Sequence, residues 1–599
     1  MTTPSLREVT ETLTASGQLF EMEQLEIRGE TTRAWKHAPD NLRIVLELSR
    51  GYGDRDFLVY EDERITYEQH YRAAASIARS LQDRLGISKG DRVAIAMRNL
   101  PQWVMAFWGG AAIGAVLVPL NAWWTASELQ YALEDSGTAV VFVDAERLER
   151  LLPHLDSLPS LRAVVVVDQD DKSRQPLEHS TSLRGISVVG FAELLGSSTP
   201  PDHIESPDVT LSDSNASETA LPDVTLDPED DATIFYTSGT TGRPKGAIGT
   251  QRNVCTNLMN LFFIATCGTM RGTGGPADLS STEQNSYLLS IPLFHVSGCY
   301  AVMIANAAAG GKLVMMHHWD PVRALELIER ERVTTFGGVP TTVMQVIDSP
   351  AFAITDTSSV KGIAFGGAPA PSNLAERIRA HFPGGAPSNG YGLTETSAIT
   401  TMNAGDDYLR KPDSVGPAVP VCDVRVVPDG FDGSEPADNL PSGPGVTGEL
   451  WIKGPNVVRG YWNSPDESAA SFTRGWLHTG DIAQIDEEGF VRVVDRAKDV
   501  IIRGGENIHS SEVESVLFGH RAVADCAVIG IPNEVLGEEV GAVVILRPGT
   551  KVSADELTRF AGERLAAYNL PVRYWFRSEP LPRNAQGKVS KQQLRSELL

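Results

Sequence analysis

The sequence predicts an α/β protein in which a large N-terminal domain of layered α/β subdomains is followed by a small, mobile α+β domain. Apolar strand segments alternate with amphipathic helical segments over much of the chain, which is the pattern of layered domains with largely parallel sheets. The C-terminal part carries helix starts and strand-like segments of its own. A chain of 599 residues is also too long for one hydrophobic core, so two or more domains are expected.

Strand and helix signals alternate from about residue 66 onwards. Thr66 and Gln69 form a capping-box pattern, and apolar residues at helical spacing follow up to Gly86, so a helix is predicted there. The strands expected after it are RVAIAM near residue 92, AVVFVD, AVVVVD, ATIFYTSG, KLVMM and GIAFGGAP. Beyond about residue 412, runs such as GELWIKG alternate between polar and apolar residues, which predicts a small antiparallel, β-barrel-like subdomain.

An uncharged segment at residues 99–127 has the composition of a membrane span over part of its length. Glycines and a proline interrupt it, and its second half, AVLVPLN, has the composition of a buried strand. A covered helix followed by a parallel strand is therefore predicted, and no integral membrane span.

Domain boundaries follow from composition. Residues 1–495 are expected to form the large N-terminal domain, residues 496–498 a hinge within the charged stretch DRAKDV, and residues 499–599 the small domain. Within the small domain, Ser511 and Ser553 are predicted to cap helices. Residues 196–231 contain no Lys or Arg and repeat PDVTL, so a mobile acidic surface insertion is predicted there.

Charge and cysteine content exclude some classes of function. The net charge of -25 argues against nucleic acid or an anionic membrane as the main partner. The cysteines have no CxxC spacing, which predicts neither a disulfide framework nor a zinc site and favours a reducing compartment. The N-terminus has no basic region followed by an apolar core, so a cytoplasmic protein is expected.

The stretch ATIFYTSGTTGRPKG, residues 232–246, changes from strand to loop composition within two residues. It does not match the P-loop pattern GxxxxGK[ST], because Pro244 precedes the lysine and Gly246 follows it. The alternative is an ordinary Ser/Thr/Gly-rich surface turn. Hydroxyls, glycines and one positive charge suit a polyphosphate, and the residues that supply them are Thr237, Ser238, Gly239, Thr240, Thr241, Gly242 and Lys245.

Two further stretches carry nucleotide-binding chemistry. In NGYGLTETS, residues 389–397, Tyr391 offers a flat face for a purine, Gly392 lets the chain turn beneath it, and Glu395 is an oxygen ligand of the kind that Mg²⁺ prefers. In WLHTGD, Asp481 could accept hydrogen bonds from both ribose hydroxyls, although an aspartate in a glycine turn is also a common turn former.

The last two stretches lie near the predicted hinge and the C-terminus. Residues 493–514, VVDRAKDVIIRGGENIHSSEVE, combine a charged junction, a glycine pair and a helix start. Lys588 lies in the glycine-containing turn PRNAQGKVSK. The alternative for Lys588 is a solvated basic tail.

Together and in this order, the five stretches resemble the adenylate-forming superfamily of acyl-CoA synthetases, peptide-synthetase adenylation domains and luciferases. The resemblance covers about residues 50–599, and SIPLFHVSG and FGGAP match two further motifs of that family. Within it, the GGAP and GGENIHSSEVE variants are most similar to CoA ligases of fatty acids or other hydrophobic carboxylic acids.

The resemblance implies a role for each matching residue. The residues from Thr237 to Lys245 would hold the phosphates, and Lys588 would bridge the carboxylate and the α-phosphate. Lys498 would be the hinge position, and Gly504 and Gly505 would face the pantetheine channel after the small domain rotates. The remaining assignments are Gly367, Ala368, Asn389, Tyr391 and Gly392 around adenine, Thr394 and Glu395 at the α-phosphate and Mg²⁺, Asp481 and Arg496 at the ribose, and His295 at the acyl end.

The resulting hypothesis is an ATP-dependent acid:CoA ligase that forms acyl-AMP, releases pyrophosphate and transfers the acyl group to CoA. The expected substrate is a medium- or long-chain fatty acid, with ATP, Mg²⁺ and CoA as cofactors. Three alternatives remain: an acyl-AMP ligase that loads a carrier protein, a luciferase-like oxygenase, and a nonenzymatic nucleotide-binding scaffold. A homo-oligomer is left open.

Two details of the acyl site are also left open. His295 is expected to position the acyl group, with proton transfer and a plain core histidine as alternatives. Met303, Phe336 and the apolar run before Gly310 either line the acyl pocket or belong to ordinary core.

Overall fold

The structure is a computed structural model of the chain that describes most of its residues. Of the predicted features, residues 197–219 of the acidic insertion and the loop residues Ser238, Gly239, Thr240, Thr241 and Gly242 lie outside the described residues. The described residues are 4–167, 182–183, 185–196, 220–237, 243–272, 283–368, 370–371, 373–428, 431, 444–583 and 588–599.

The N-terminal segment contains two hairpins, one of which extends the second large sheet. β1 and β2 pair only with each other, whereas β3 joins a strand of that sheet in parallel. The elements are α1 (Leu6–Leu13), β1 (Met22–Ile27), β2 (Glu30–Trp35), α2 (Leu42–Ser49), β3 (Asp56–Tyr60) and β4 (Glu63–Thr66).

The next part of the chain builds an eight-stranded sheet in the order β12-β11-β6-β5-β7-β8-β10-β9, parallel except for its two edge pairs. Its elements are α3 (Tyr67–Asp83), β5 (Arg92–Ala96), α4 (Pro101–Ala112), β6 (Val116–Pro119), α5 (Ala126–Ser136), β7 (Val140–Asp144), α6 (Ala145–Leu151), β8 (Ala163–Val167), β9 (Ser182–Leu183), β10 (Ile186–Gly190), α7 (Phe191–Leu194), β11 (Asp231–Thr237), β12 (Lys245–Thr250) and α8 (Gln251–Met270).

Two local predictions in this region are confirmed. The hydroxyl of Thr66 accepts a hydrogen bond from the Gln69 amide at 3.2 Å, which is the predicted capping box of α3. The uncharged segment 99–127 folds as the buried helix α4 followed by the buried strand β6. Within the described ranges, no helix is long and apolar enough to cross a membrane.

A second eight-stranded sheet follows in the order β18-β17-β16-β15-β13-β14-β3-β4, with parallel inner strands. A π-helical segment, Ser297–Ile304, covers one face of it and continues into α9. The elements are β13 (Ser286–Leu289), α9 (Ala305–Ala309), β14 (Lys312–Met315), α10 (Pro321–Arg330), β15 (Thr335–Gly338), α11 (Pro340–Ile347), β16 (Gly362–Gly366), α12 (Leu374–His381), β17 (Ala386–Tyr391), β18 (Thr401–Ala404), α13 (Gly405–Arg410) and β19 (Asp423–Val427).

The remaining elements form the antiparallel subdomain and the small C-terminal domain. A five-stranded antiparallel sheet runs β19-β20-β22-β21, with β23 paired to β22, and a mixed five-stranded sheet lies in the C-terminal domain. The predicted fold class is therefore confirmed. The elements are β20 (Gly448–Lys453), α14 (Pro465–Ser471), β21 (Phe472–Thr473), β22 (Trp476–Ile485), β23 (Val491–Arg496), β24 (Ile501–Arg503), β25 (Glu506–Ile508), α15 (Ser510–Phe518), β26 (Val523–Asn533), β27 (Gly537–Leu546), α16 (Ala554–Gly562), β28 (Arg573–Arg577) and α17 (Lys591–Leu598).

One of the two helix caps predicted for the small domain is wrong. Ser553 does cap α16, because its hydroxyl accepts a hydrogen bond from the Glu556 amide at 3.2 Å. Ser511 lies inside α15, and its hydroxyl donates to the Val494 carbonyl of β23. The serine therefore joins α15 to the strand before the predicted hinge instead of closing the helix end.

The N-terminal segment braces helix α8. Val9, Phe20 and Trp35 pack against Met259 and Phe263 of α8 in one buried cluster. The Trp35 indole N–H also donates to the Asn260 side chain at 2.7 Å, so the apolar contact includes a buried polar one. This contact fixes a helix whose other residues line the cavity described below.

A buried ion pair joins β7 to α6. The Arg147 guanidinium lies 3.0 Å from the Asp144 carboxylate, and the two side chains are 1% and 5% exposed. The same guanidinium contacts Glu146, which is 48% exposed. Removing one partner of a buried pair leaves an uncompensated charge, whereas an exposed partner contributes little.

We expect Asp144→Ala to lower stability by about 3 kcal/mol, because Arg147 would lose its buried counter-ion. Glu146→Ala is the matched control and should change stability by less than ~1 kcal/mol, since its carboxylate is half exposed. Urea denaturation of both variants measures the difference. Equal midpoint shifts would contradict the assignment of the buried pair as the stabilising one.

Candidate functional site

A cavity of about 1240 Å³ lies at the carboxyl ends of β13, β15, β16 and β17, where the antiparallel subdomain and the small domain meet this edge. Of the predicted site residues that the structure describes, five do not line it, namely Ala368, Asn389, Tyr391, Gly504 and Gly505. The predicted residues that line it are Thr237, Lys245, His295, Gly367, Gly392, Thr394, Glu395, Asp481, Arg496, Lys498 and Lys588.

Asp481 on β22 is the most deeply buried carboxylate of the cavity, at 4% exposure. Burial raises its pKa, while the Arg496 guanidinium, 3.4 Å away, opposes that rise. The Tyr391 hydroxyl donates to the other carboxylate oxygen at 2.7 Å. Tyr391 therefore contributes by holding Asp481, although its own side chain lies outside the cavity wall.

Lys588 reaches the cavity from the small domain. Its Cε lies 3.8 Å from the point where a Cβ on Gly367 would stand, which is ordinary van der Waals contact, and the φ of 73° at Gly367 favours glycine there. Burial and, to a smaller extent, the charge of Arg496 lower the pKa of Lys588 to about 8, although Asp481 and Glu395 act in the opposite direction. The ammonium is thus a desolvated charge among groups of both signs.

His295 lines the cavity as a neutral imidazole. Burial, with a smaller contribution from the nearby charge of Lys588, lowers its pKa to about 3. Its backbone is fixed by hydrogen bonds to Pro292 and from Cys299, at 3.2 Å and 2.8 Å. A group with so low a pKa is a weak proton acceptor at neutral pH, which favours the positioning role over proton transfer.

Two residues of the cavity region were missed by the sequence analysis. The Tyr461 hydroxyl donates to Glu395 at 2.8 Å, and its ring centroid lies 5.5 Å from the Lys245 ammonium. Glu467 at the start of α14 accepts a hydrogen bond from the same ammonium. Neither residue has a sequence signal, because an aromatic residue and a glutamate near a helix start are ordinary in loops.

Glu395 is suited to a magnesium ion that arrives with phosphates. Mg²⁺ is usually bound by one or two carboxylates together with substrate phosphates and water. Glu395 offers one carboxylate to the cavity with one oxygen already held by Tyr461. Across the described residues, no group of three or more His, Cys, Asp or Glu side chains could form an all-protein metal site.

Some of the residues considered for the acyl pocket line the cavity, and others belong to the hydrophobic core. Met303 and Phe336 are fully buried in two core clusters and do not line the cavity. The segment before Gly310 does contribute, through Ala301, Val302 and Ala305 among others. Trp123 also lines the cavity, whereas Trp124 packs on Tyr236 with ring centroids 6.1 Å apart.

The layered α/β domain, the small domain and the shared cavity have the organisation of an adenylate-forming enzyme. The model of the AMP-binding enzyme family matches residues 47–462, and that of the AMP-binding enzyme C-terminal domain matches residues 512–588. The chain therefore belongs to the AMP-binding enzyme family. It is an AMP-forming acid:CoA ligase of that family, and the family uses ATP and Mg²⁺.

Several curated relatives and solved structures are similar over nearly the whole chain. A long-chain-fatty-acid–CoA ligase of Bacillus subtilis is 32% identical, covering 92% of this chain and 94% of its own length. A feruloyl-CoA synthase of Amycolatopsis is 33% identical, and the match covers 89% of this chain and 93% of that protein. The structure of o-succinylbenzoate CoA synthetase from Bacillus subtilis with ATP and magnesium has 29% sequence identity and a TM-score of 0.70. The match covers 92% of this chain and 99% of that chain.

We expect kcat/KM for adenylate formation to fall as pH rises through about 8, because the Lys588 ammonium loses its proton in that range in the free enzyme. Pyrophosphate release measured from pH 6.5 to 9.5 tests this. Lys588→Arg keeps its charge throughout, so its residual activity should not fall over the same range. A parallel fall in both proteins would assign the pH dependence to another group.

Proposed function

We propose that the protein activates a medium- or long-chain fatty acid as acyl-AMP and then transfers the acyl group to CoA. The observation that carries this proposal is the buried Lys588 ammonium of the small domain, which enters the cavity beside Asp481, Glu395 and His295. The apolar wall around Val302 supports an extended hydrophobic acid. The long-chain ligase of Bacillus subtilis supports the same substrate class.

The proposed roles are those that the family resemblance implies for each residue. Thr237 and Lys245, with the loop between them, hold the β- and γ-phosphates, and Glu395 with Thr394 serves the α-phosphate and Mg²⁺. Asp481 and Arg496 take the ribose. Adenine is assigned to the surface built by Gly367, Ala368, Asn389, Tyr391 and Gly392.

In the first step the carboxylate of the acid attacks the α-phosphorus, and pyrophosphate leaves. The acid is already ionised at neutral pH, so no general base is needed, but its charge is repelled by the triphosphate. The ammonium of Lys588 lies between the two anionic groups and offsets this repulsion. A bound Mg²⁺ supplies additional positive charge at the phosphates.

In the second step the CoA thiol attacks the acyl carbon, and AMP leaves. Lys588 would obstruct that approach, so the small domain is proposed to rotate about residues 496–498, with Lys498 as the hinge position. Gly504 and Gly505 have positive φ angles of 61° and 91° in the turn between β24 and β25. Rotation would bring this turn, which has no side-chain bulk, towards the thiol channel.

A panel of acids tests the proposed substrate class. We expect pyrophosphate release with ATP and CoA to rise with chain length from acetate to medium- and long-chain acids, because Val296, Val302 and Ala305 give the cavity an apolar wall beyond His295. Measuring AMP release with and without CoA identifies the acceptor. Adenylate formation that CoA never accelerates would favour a carrier-protein acceptor instead.

Lys588→Ala should lower the rate of adenylate formation by ~100-fold to ~1,000-fold, because one charge contact in the reaction is lost. Thioester formation from supplied acyl-AMP should be largely spared. Lys551→Ala, which removes an exposed lysine of the same domain, is the control and should leave both steps unchanged. An equal loss in both half-reactions for Lys588→Ala would contradict the proposed domain rotation.

A further inference from the structure

The cavity has an arm that runs along the second sheet from its carboxyl edge to its amino edge. Ser290 and Gly338 line it at the carboxyl ends of β13 and β15, and Asn285 and Thr334 line it at their amino ends. The two strands are parallel with Tyr287 opposite Thr335. Four residues of strand separate the ends, so the arm is about 13 Å long at a rise of ~3.3 Å per residue.

The described residues that line the amino end of this arm are polar and uncharged. The charged residues that line the cavity come from β12, β20, β22, β23, the end of α11, the predicted hinge and the small domain, together with Glu395. Lys312 lies near the amino end, but its ammonium bonds to Glu331. The lining residues at the amino end are Asn285, Ser286, Tyr287, Asn306, Thr334 and Thr335.

Tyr287 differs from the other tyrosines at this end of the sheet. The Tyr67 hydroxyl lies 2.7 Å from the Gly311 carbonyl, to which it donates, and 2.9 Å from that of Asn306, and the Tyr52 hydroxyl donates to the Ala308 carbonyl at 2.8 Å. Tyr287 is 9% exposed and lines the cavity, yet its hydroxyl makes no hydrogen bond to any described residue.

The side chain of Tyr287 lies on the same face of the sheet as that of Thr335, because the two residues are register partners on parallel strands. This is the face covered by the segment Ser297–Ile304 and α9, which supplies the apolar side of the arm. The arm therefore has one apolar side, and its polar end includes the Tyr287 hydroxyl, which can both donate and accept a hydrogen bond.

We infer that the acid carries an uncharged hydrogen-bonding group, a hydroxyl or a carbonyl, at the end far from its carboxyl group, and that Tyr287 binds it. This inference rests on the proposed function and specifies its substrate class. An alkyl end would cover the Tyr287 hydroxyl without giving it a hydrogen-bond partner, and a second carboxylate would be enclosed without a cation among the described lining residues. A site built around a hydroxyl discriminates against the analogue that lacks it.

Three acids of equal chain length test the inference: a fatty acid, its ω-hydroxy derivative and its ω-carboxy derivative. We expect kcat/KM for pyrophosphate release to be highest for the hydroxy acid, lower for the alkyl acid and lowest for the carboxy acid. Tyr287→Phe should lower kcat/KM for the hydroxy acid about tenfold, mainly through its KM, and leave the alkyl acid unchanged or improved. The KM for ATP should stay the same in both proteins.

Two further variants keep the test decisive. Asn285→Leu removes a second polar group from the same end and should act in the same direction, even if Tyr287→Phe fails to fold. Tyr574→Phe on β28, which lies outside the cavity lining, should leave all three acids unchanged. Thermal melting of each variant checks folding.

The outcomes separate this inference from the proposed function. Equal kcat/KM for the hydroxy and alkyl acids in the unaltered protein, or an equal loss for both in Tyr287→Phe and Asn285→Leu, would overturn the inference and leave the ligase activity intact. No pyrophosphate release with any acid of the panel would overturn the proposed function, and the inference with it.

Discussion

The buried positive charge of Lys588 is the constraint around which the two domains are arranged. Burial, Arg496 and Lys498 all oppose the protonated form, while Asp481 and Glu395 favour it, and the balance lowers its pKa to about 8. Three cations and two carboxylates share this part of the cavity, so an anionic ligand adds the charge that the protein lacks. A polyphosphate and a carboxylate both meet that requirement, and water does not.

The position of that lysine depends on a hydrogen-bonded network at the domain junction. Asp495 on β23 accepts from the Ser510 hydroxyl at 2.9 Å and from the Ser511 amide at 3.3 Å. Lys591, three residues after Lys588, bonds to Ser510 at 2.6 Å and to Glu514 at 2.7 Å. The contacts that hold the small domain also anchor the helix that follows Lys588. A rotation of the small domain therefore has to release Asp495 from both serines.

Sequence patterns predicted the features whose causes are local. The capping box at Thr66 and the alternation of apolar strands with helices depend on neighbours a few residues apart, and the fold class followed from them. Features that depend on distant partners were not predictable in this way. Ser511 has the same local pattern whether it caps its helix or bonds to another domain, and Tyr287 is one β-forming residue among many until the register of β13 and β15 is known. Tyr461 is informative only beside Glu395.

The N-terminal segment packs against α8, a helix that contributes residues to the cavity. Trp35 bonds to Asn260, and the next two residues of α8, Leu261 and Phe262, line the cavity. No described residue of the N-terminal segment 4–35 lines the cavity, yet this segment packs against the helix that does. Exchanging only the cavity-lining residues between this protein and a relative would then leave out the N-terminal residues that hold α8 in place. A complete transfer of substrate preference needs the hairpin β1–β2 and α8 to move together.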